Sequence, residues 1–236
     1  MTKSLGIMQG RLSPPVGERI QAFPWQTWEA EFPLAAESGL TAIDWIVESE
    51  RLKENPLLTS DGRRRAAELV RGTGTGICAV CADYFMERPI IRCTPDERLE
   101  RLRILDEILE SMNAMAVPFL EVPFVDNASI DTPEELDQVV DAFSRKLDRA
   151  CELGVTVAFE TSLAAEPFRE FLDRLGHPAG CANYDTGNSA SLGYDPRDEL
   201  SAYGERVSTL HVKDRIRGGT TVPLGQGDAD LAAGFA

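Results

Sequence analysis

Short apolar segments, each followed by an amphipathic one, recur seven times along the 236-residue chain. The apolar segments are short and often β-branched, which predicts strands, and they occupy 5–12, 42–47, 76–85, 117–125, 155–159, 179–184 and 209–212. The segments between them place apolar residues on one helical face, and 136–147 is an example. Strands that alternate with helices predict a parallel sheet with crossover helices.

Seven such units in one chain favour a TIM barrel over an open doubly wound sheet. The first strand lacks the G-x-G-x-x-G turn of dinucleotide-binding folds, since 6–10 reads GIMQG. No linker or change of composition divides the chain, which predicts a single domain over 1–236. We therefore expect an α/β (β/α)8 barrel that lacks its eighth βα unit. We also expect the natural protein to continue for roughly 25–45 residues, one further unit.

The charge balance and the apolar runs exclude two classes of partner. The 39 acidic and 24 basic residues give a net charge of −15, whereas a protein that binds nucleic acid needs a basic face. No apolar run approaches the roughly 18–20 residues that span a bilayer. The first residues lack the pattern of a signal peptide, so a cytoplasmic protein is expected.

Three chemically active residues each end a predicted strand. Glu160, Asp185 and His211 lie 25 and 26 residues apart, about one βα unit each. The carboxyl ends of successive strands meet at one mouth of a parallel barrel, which brings such residues together. Two carboxylates and an imidazole suit one divalent ion such as Mn²⁺, Mg²⁺, Co²⁺ or Zn²⁺. The alternative is that they are ordinary loop and structural residues, as we interpret His177 beside Pro178.

Several motifs resemble the xylose-isomerase-like barrel superfamily, and the last third of the chain carries the most specific ones. They are GIMQGRLSP at 6–14, DTGN at 185–188, HVKD at 211–214 and GQGD at 225–228. Within that superfamily the chain is similar to the sugar phosphate isomerases and epimerases of the L-ribulose-5-phosphate 3-epimerase type. The resemblance implies an isomerase or epimerase of a ketose or ketose phosphate, which moves a proton beside a carbonyl through a metal-stabilised ene-diolate.

The resemblance also implies a ligand set of Glu, Asp, His and a second Glu around one ion. The first three map onto Glu160, Asp185 and His211, and Glu160 doubles as the catalytic base. The second glutamate belongs to the eighth strand, so either the natural protein continues beyond residue 236 and carries it there, or the active centre is incomplete. Epimerisation needs a proton-transfer group on each face of the intermediate, so the partner of Glu160 is expected there.

Four residues are predicted to bind substrate. Arg217 follows His211 by six residues, where the epimerases place a substrate-binding arginine, and we prefer it to Arg215. Asn188 stands where free-ketose epimerases typically have histidine, which favours a phosphorylated sugar. Glu48 and Asp83 follow the second and third strands and either bind substrate hydroxyls or are ordinary loop acids.

A phosphate group has a further predicted site. Either the backbone N–H groups around 225–227 or those of a helix N-terminus are expected to hold it.

Two other functions compete with this interpretation. A phosphoesterase like the apurinic endonucleases would need two or three metal ions and several histidines, and the chain has two histidines. A catalytically inactive barrel would bind a ligand or metal without turnover. The small-molecule partner is expected to be a sugar or sugar phosphate, and a homo-oligomer is allowed by this interpretation.

Overall fold

Seven parallel strands form one curled sheet in the computed structural model, which describes residues 5–17, 19 and 21–235. In chain order they are β1 (Gly6–Met8), β2 (Ala42–Ile46), β3 (Gly76–Cys81), β4 (Phe119–Phe124), β5 (Thr156–Thr161), β6 (Gly180–Asp185) and β7 (Val207–His211). Each strand pairs with the next one along the chain, and within the described ranges β1 and β7 are not paired with each other. These seven parallel strands confirm the predicted barrel type of fold within the residues that the structure describes.

Helices follow the strands and cover the outside of the sheet. They are α1 (Glu31–Glu37), α2 (Ser60–Thr73), α3 (Tyr84–Glu87), α4 (Pro95–Met115), α5 (Pro133–Glu152), α6 (Ala165–Leu175), α7 (Thr186–Leu192), α8 (Pro196–Tyr203) and α9 (Leu231–Gly234). A two-stranded hairpin, β8 (Asp214–Arg215) and β9 (Thr221–Val222), follows β7. None of the described helices combines the length and the apolar character that crossing a membrane requires.

Threonine caps and proline at the first helical position begin the two longest helices. Thr94 and Glu97 form a reciprocal capping box at the start of α4, and Thr132 accepts a hydrogen bond from the Glu135 N–H at the start of α5. These side chains satisfy backbone N–H groups that have no partner within the helix. The sequence patterns at 94–97 and 132–135 therefore fix where the crossover helices begin.

Alternation along each strand separates the apolar core from a polar barrel interior. Phe159 of β5 is fully buried on the outer face, where its ring contacts those of Phe143 in α5 and Phe171 in α6. The next residue, Glu160, points the opposite way, because successive side chains of a strand alternate between faces. Each strand thus buries apolar groups under the helices and directs its other residues into the barrel.

The end of the third strand differs from the sequence prediction. A strand was predicted over 76–85, but β3 ends at Cys81, and α3 begins at Tyr84 with Asp83 in helical conformation before it. The apolar run continues through this turn because Tyr84 and Phe85 are both buried. Hydrophobicity alone therefore did not reveal the change of backbone direction.

Candidate metal centre

Glu160, Asp185 and His211 lie together at the C-terminal ends of β5, β6 and β7. The Nδ1 atom of His211 is 3.6 Å from Oε2 of Glu160 and 3.9 Å from Oδ2 of Asp185. One potential ligand atom from each residue lies within 4.8 Å of the other two. An ion with bonds of about 2.0–2.2 Å can span donors at such separations. The structure brings together the residues predicted from the sequence, and their role as ligands stays a prediction.

Asp185 is oriented by the start of α7. Its Oδ1 accepts hydrogen bonds from the N–H groups of Gly187 (2.9 Å) and Asn188 (2.8 Å), as a helix N-cap does. Its Oδ2 faces the centre and lies 2.9 Å from Nζ of Lys213. Burial and the nearby Glu160 carboxylate raise the pKa of Asp185, although Lys213 opposes the shift. One oxygen thus builds the fold while the other remains directed at the centre.

Two amide side chains hold the Glu160 carboxylate. Asn183 donates to Oε2 at 2.9 Å, and Asn188 donates to Oε1. Burial disfavours the charged form, but the imidazole of His211 and the ammonium of Lys213 lower the pKa of Glu160. The carboxylate is therefore ionised and fixed in orientation.

A second pair of acids contacts the opposite side of the His211 ring. Its Nε2 lies 2.9 Å from Oε2 of Glu121 in β4 and 3.2 Å from Oδ2 of Asp44 in β2. Burial alone would lower the pKa of His211, yet these carboxylates raise it well above the usual value. Burial and Glu121 raise the pKa of Asp44. Burial would also raise the pKa of Glu121, but His211 and a hydrogen bond from Asp44 lower it. The pKa values of the two carboxyl groups thus shift in opposite directions.

Sequence analysis missed Asp44 and Glu121. Each stands in the middle of an apolar strand rather than at its end, in AIDWI and FLEVPF. A charged residue inside an apolar run was the available signal, because an acid is rarely buried without a partner.

The chemistry of these donors fits a divalent cation. Four carboxylates surround one imidazole, and each of those four residues is at most 8% exposed. A cation held by Nδ1 would replace the proton there, while the N–H at Nε2 donates to Glu121. Carboxylates that hydrogen-bond the far nitrogen of a metal-binding histidine are a recurrent feature of metal sites. The cluster of Glu160, Asp185 and His211 Nδ1 is therefore a better metal site than the cluster of Asp44, Glu121 and His211 Nε2. Asp44 and Glu121 instead hold the His211 ring in position through Nε2.

Arg215, and not Arg217, contacts the centre. Arg215 donates to Oδ1 of Asn188 at 2.9 Å, which links it through Asn188 to Glu160. The Arg217 guanidinium instead lies against Gly193, where an added Cβ would be 2.5 Å from Nε. The sequence favoured Arg217 over Arg215 as the substrate-binding arginine, but the structure places Arg215 next to Asn188. The reason is that the hairpin β8–β9 turns the chain between the two residues.

The loop after β1 engages both other predicted binding residues. Glu48 accepts a hydrogen bond from the Phe23 N–H at 3.0 Å and lies 3.4 Å from Arg19. Asp83 accepts one from Gln21 at 2.7 Å, and burial raises its pKa to about 6. Burial also raises the pKa of Glu48. Both acids are at the mouth, as predicted, and both are buried.

The predicted phosphate site is wrong. The N–H groups of Gly225 and Gly227 both donate to Oδ2 of Asp214 at 2.9 Å, and that of Ala229 donates to Oδ1 at 3.1 Å. Asp214 is 1% exposed. These amides fold the loop around an internal carboxylate, so they do not offer an anion site.

A cavity of about 310 Å³ lies away from the centre. Tyr184, Ser189, Tyr194 and Arg197 are among the residues that border it. Tyr184 alternates with Asn183 and Asp185 and so faces the helices rather than the barrel interior. We therefore place the functional site by its donor chemistry and not by cavity size.

Comparison with known proteins agrees with this architecture. Residues 32–236 match a family model described as a xylose isomerase-like TIM barrel. No curated protein matches the chain significantly.

Three solved structures illustrate the likeness in fold. The D-allulose 3-epimerase from Methylomonas sp., in complex with D-allulose, has a TM-score of 0.73 at 15% identity, over 99% of this chain and 79% of that one. The 3-keto-D-glucoside 4-epimerase from E. coli also has a TM-score of 0.73 at 15% identity, over 99% of this chain and 86% of that one. A xylose isomerase-like TIM barrel protein from Mycobacterium smegmatis, in complex with magnesium, has a TM-score of 0.71 at 16% identity, over 98% of this chain and 84% of that one.

Proposed function

Because the chain belongs to the xylose isomerase-like TIM barrel family, we propose that it is a divalent-metal-dependent isomerase or epimerase of a ketose or ketose phosphate. Membership of this family agrees with the resemblance seen in the sequence motifs. The epimerases among the similar structures agree with an isomerase or epimerase. The L-ribulose-5-phosphate 3-epimerase type remains our narrower expectation.

One observation carries the proposal, namely the convergence of Glu160, Asp185 and His211 Nδ1 at the barrel mouth. These residues would hold the ion, and the magnesium of the similar Mycobacterium smegmatis structure is consistent with this class of ion. When bound, the ion would polarise a substrate carbonyl and stabilise the negative charge that develops on its oxygen.

Glu160 is the residue best placed to take the substrate proton. Its two oxygens are held by Asn183 and Asn188, so the carboxylate does not have to reorient before it reacts. Its lowered pKa keeps it ionised at neutral pH. A positioned carboxylate of this kind contributes about 10²–10⁴-fold to a proton transfer. Lys213, 2.9 Å from Asp185, and Arg215, which donates to Asn188, bring positive charge to the centre and would attract an anionic substrate.

Metal binding by Asp185→Asn tests the proposal. The exposed Asp141 on α5 provides a matched control, Asp141→Asn. We expect the wild type and the control to bind one Mn²⁺ per chain, and Asp185→Asn to bind it at least about tenfold more weakly. Isothermal titration calorimetry measures this directly. Unchanged binding by Asp185→Asn would show that the ligand set is wrong.

Turnover is tested in the same proteins with D-allulose, D-fructose, L-ribulose 5-phosphate and L-xylulose 5-phosphate. Solvent deuterium should enter the carbon beside the carbonyl in the presence of Mn²⁺, and chelation should stop it. One bound ion without deuterium entry would favour an inactive metal-binding barrel. Two or three bound ions would favour a phosphoesterase.

A further inference from the structure

A buried carboxyl group, that of Glu199 in α8, lies on the outer side of the sheet behind the candidate metal centre. Ser189 of α7 and Tyr184 of β6 donate hydrogen bonds to its Oε2, the second of them at 3.3 Å. Tyr203 of α8 donates to its Oε1 at 3.2 Å. All four residues are at most 6% exposed. Three hydroxyl groups thus surround one carboxyl group inside the protein.

Packing alone does not account for a carboxyl group at this position. Burial disfavours its charged form and raises the pKa of Glu199, although hydrogen bonds from Ser189, Tyr203 and Tyr184 oppose the shift. These donors are neutral, and a buried acid with neutral partners costs free energy that an aliphatic side chain of similar size does not. The role of Glu199 therefore lies in what its hydrogen bonds hold in place.

Helix α7 depends on polar contacts for its position. It is seven residues long, and an isolated helix of that length is not stable in water. Its buried residues are all small, namely Thr186, Gly187, Ser189 and Ala190. Its one large apolar side chain, Leu192, is 44% exposed. Two polar contacts anchor the helix instead. Thr186 exchanges hydrogen bonds of 2.6 and 3.0 Å with the backbone of Lys213, and Ser189 donates to Glu199.

The same short helix carries two groups of the candidate metal centre. Asp185 caps its first turn, and the Asn188 amide donates to Oε1 of Glu160. The two donors to the buried Oε2 are direct neighbours of these residues in the chain, since Tyr184 precedes Asp185 and Ser189 follows Asn188. A shift of α7 would therefore move the centre as well.

We propose that Glu199 is a positioning residue of the metal centre, which it supports by fixing α7 and the end of β6 from behind. A cavity of only about 20 Å³ is bordered by both Glu199 and Glu160, so little space separates the buried network from the centre. Without this anchor, α7 shifts, the Asn188 amide leaves Glu160, and the cap on Asp185 weakens. This inference rests on the proposed function, because it requires an ion at the centre.

Calorimetric titration of Mn²⁺ into Ser189→Ala and Tyr203→Phe tests the inference. Each variant removes one hydroxyl donor to Glu199, but Ser189 lies on α7 whereas Tyr203 lies on α8, the helix of Glu199 itself. We expect Ser189→Ala to bind Mn²⁺ about tenfold more weakly than the wild type and Tyr203→Phe to bind within about twofold of it. A purely structural role would weaken binding by both variants alike.

Two substitutions of Glu199 separate hydrogen bonding from charge. The oxygen of a glutamine amide can accept from Ser189 and Tyr184 while its nitrogen donates to Tyr203, so Glu199→Gln should bind Mn²⁺ within about threefold of the wild type. Glu199→Leu makes none of these contacts and should bind about tenfold more weakly. Glu205→Leu, the same change at an exposed position, is the control and should bind like the wild type.

The possible outcomes distinguish this inference from the proposed function. If the wild type binds one ion and both Ser189→Ala and Glu199→Leu bind it equally well, the inference is wrong and the proposed function stands. Equal losses of affinity in Ser189→Ala and Tyr203→Phe would also overturn the inference, and this comparison decides even if Glu199→Leu does not fold. A wild type that binds no Mn²⁺ would overturn the proposed function and this inference with it.

Discussion

The hydrogen bond between His211 Nε2 and Glu121 should control how tightly the centre binds a metal. Glu121→Gln keeps the size of the side chain and removes its charge. In the structure the Nε2–Oε2 distance is 2.9 Å, and Glu121 is 3% exposed. An ionised acceptor in this position makes the imidazole a better donor through Nδ1 and keeps the proton on Nε2.

The expected effect is a 10–100-fold loss of Mn²⁺ affinity, or about 1.4–2.7 kcal/mol. Asp44→Asn should cost much less, at most about threefold. Asp44 lies further from Nε2, at 3.2 Å, and burial and Glu121 raise its pKa, which disfavours its charged form. Asp44→Asn therefore removes less negative charge from the site than Glu121→Gln does, and the glutamine amide cannot replace the charge of the Glu121 carboxylate.

Calorimetric titration of Mn²⁺ into the two variants and the wild type measures this order. Glu134→Gln, at an exposed position in the first turn of α5, is the matched control and should bind like the wild type. The reasoning is refuted if Asp44→Asn loses more affinity than Glu121→Gln, or if both bind Mn²⁺ as the wild type does.

Two further predictions concern stability. Burial raises the pKa of the Asp83 carboxyl from 3.8 to about 6. The stability that the protonated carboxyl contributes is therefore fully present below about pH 4 and is lost as the pH rises through 6. Above that pH, ionisation of the buried carboxyl costs about 3 kcal/mol. In urea unfolding of the metal-free proteins, the free energy of unfolding of Asp83→Asn relative to the wild type should rise by up to that amount between pH 4 and pH 8. The same difference in unfolding free energy at both pH values would contradict the buried ionisation. Phe159→Ala should lower the free energy of unfolding by about 3–5 kcal/mol because the ring is fully buried between Phe143 and Phe171. Phe235→Ala, at a side chain that is 62% exposed, should change it by less than about 0.5 kcal/mol in the same measurement, and equal losses would show that burial does not set the cost.

Much of the barrel could be predicted because its determinants are local in the chain. Alternation of apolar residues, helix caps at Thr94 and Thr132, and the strand–helix order each depend on residues that are close in sequence. The errors are at element ends. The run through Tyr84 and Phe85 is apolar because those residues are buried in α3, not because β3 continues to them.

The residues of the candidate centre also fall into those that the sequence predicted and those that it missed. Glu160, Asp185 and His211 were found because a parallel barrel brings all strand ends to one mouth, which makes position in the chain a guide to position in space. Asp44 and Glu121 were missed because their partner is a histidine 167 and 90 residues away. Arg215 and Arg217 are two residues apart, and only the path of the hairpin decides which guanidinium reaches Asn188.

By itself, then, the sequence determined the seven strand–helix repeats and the convergence of Glu160, Asp185 and His211 at the strand ends. Only the tertiary structure decided which nitrogen of His211 faces Glu160 and Asp185, and that Asp214 rather than a phosphate takes the amides at 225–229. The physical reason is that strand formation depends on short-range periodicity. Hydrogen-bond direction and side-chain level depend on register and loop paths, which are fixed by contacts between residues far apart in the chain.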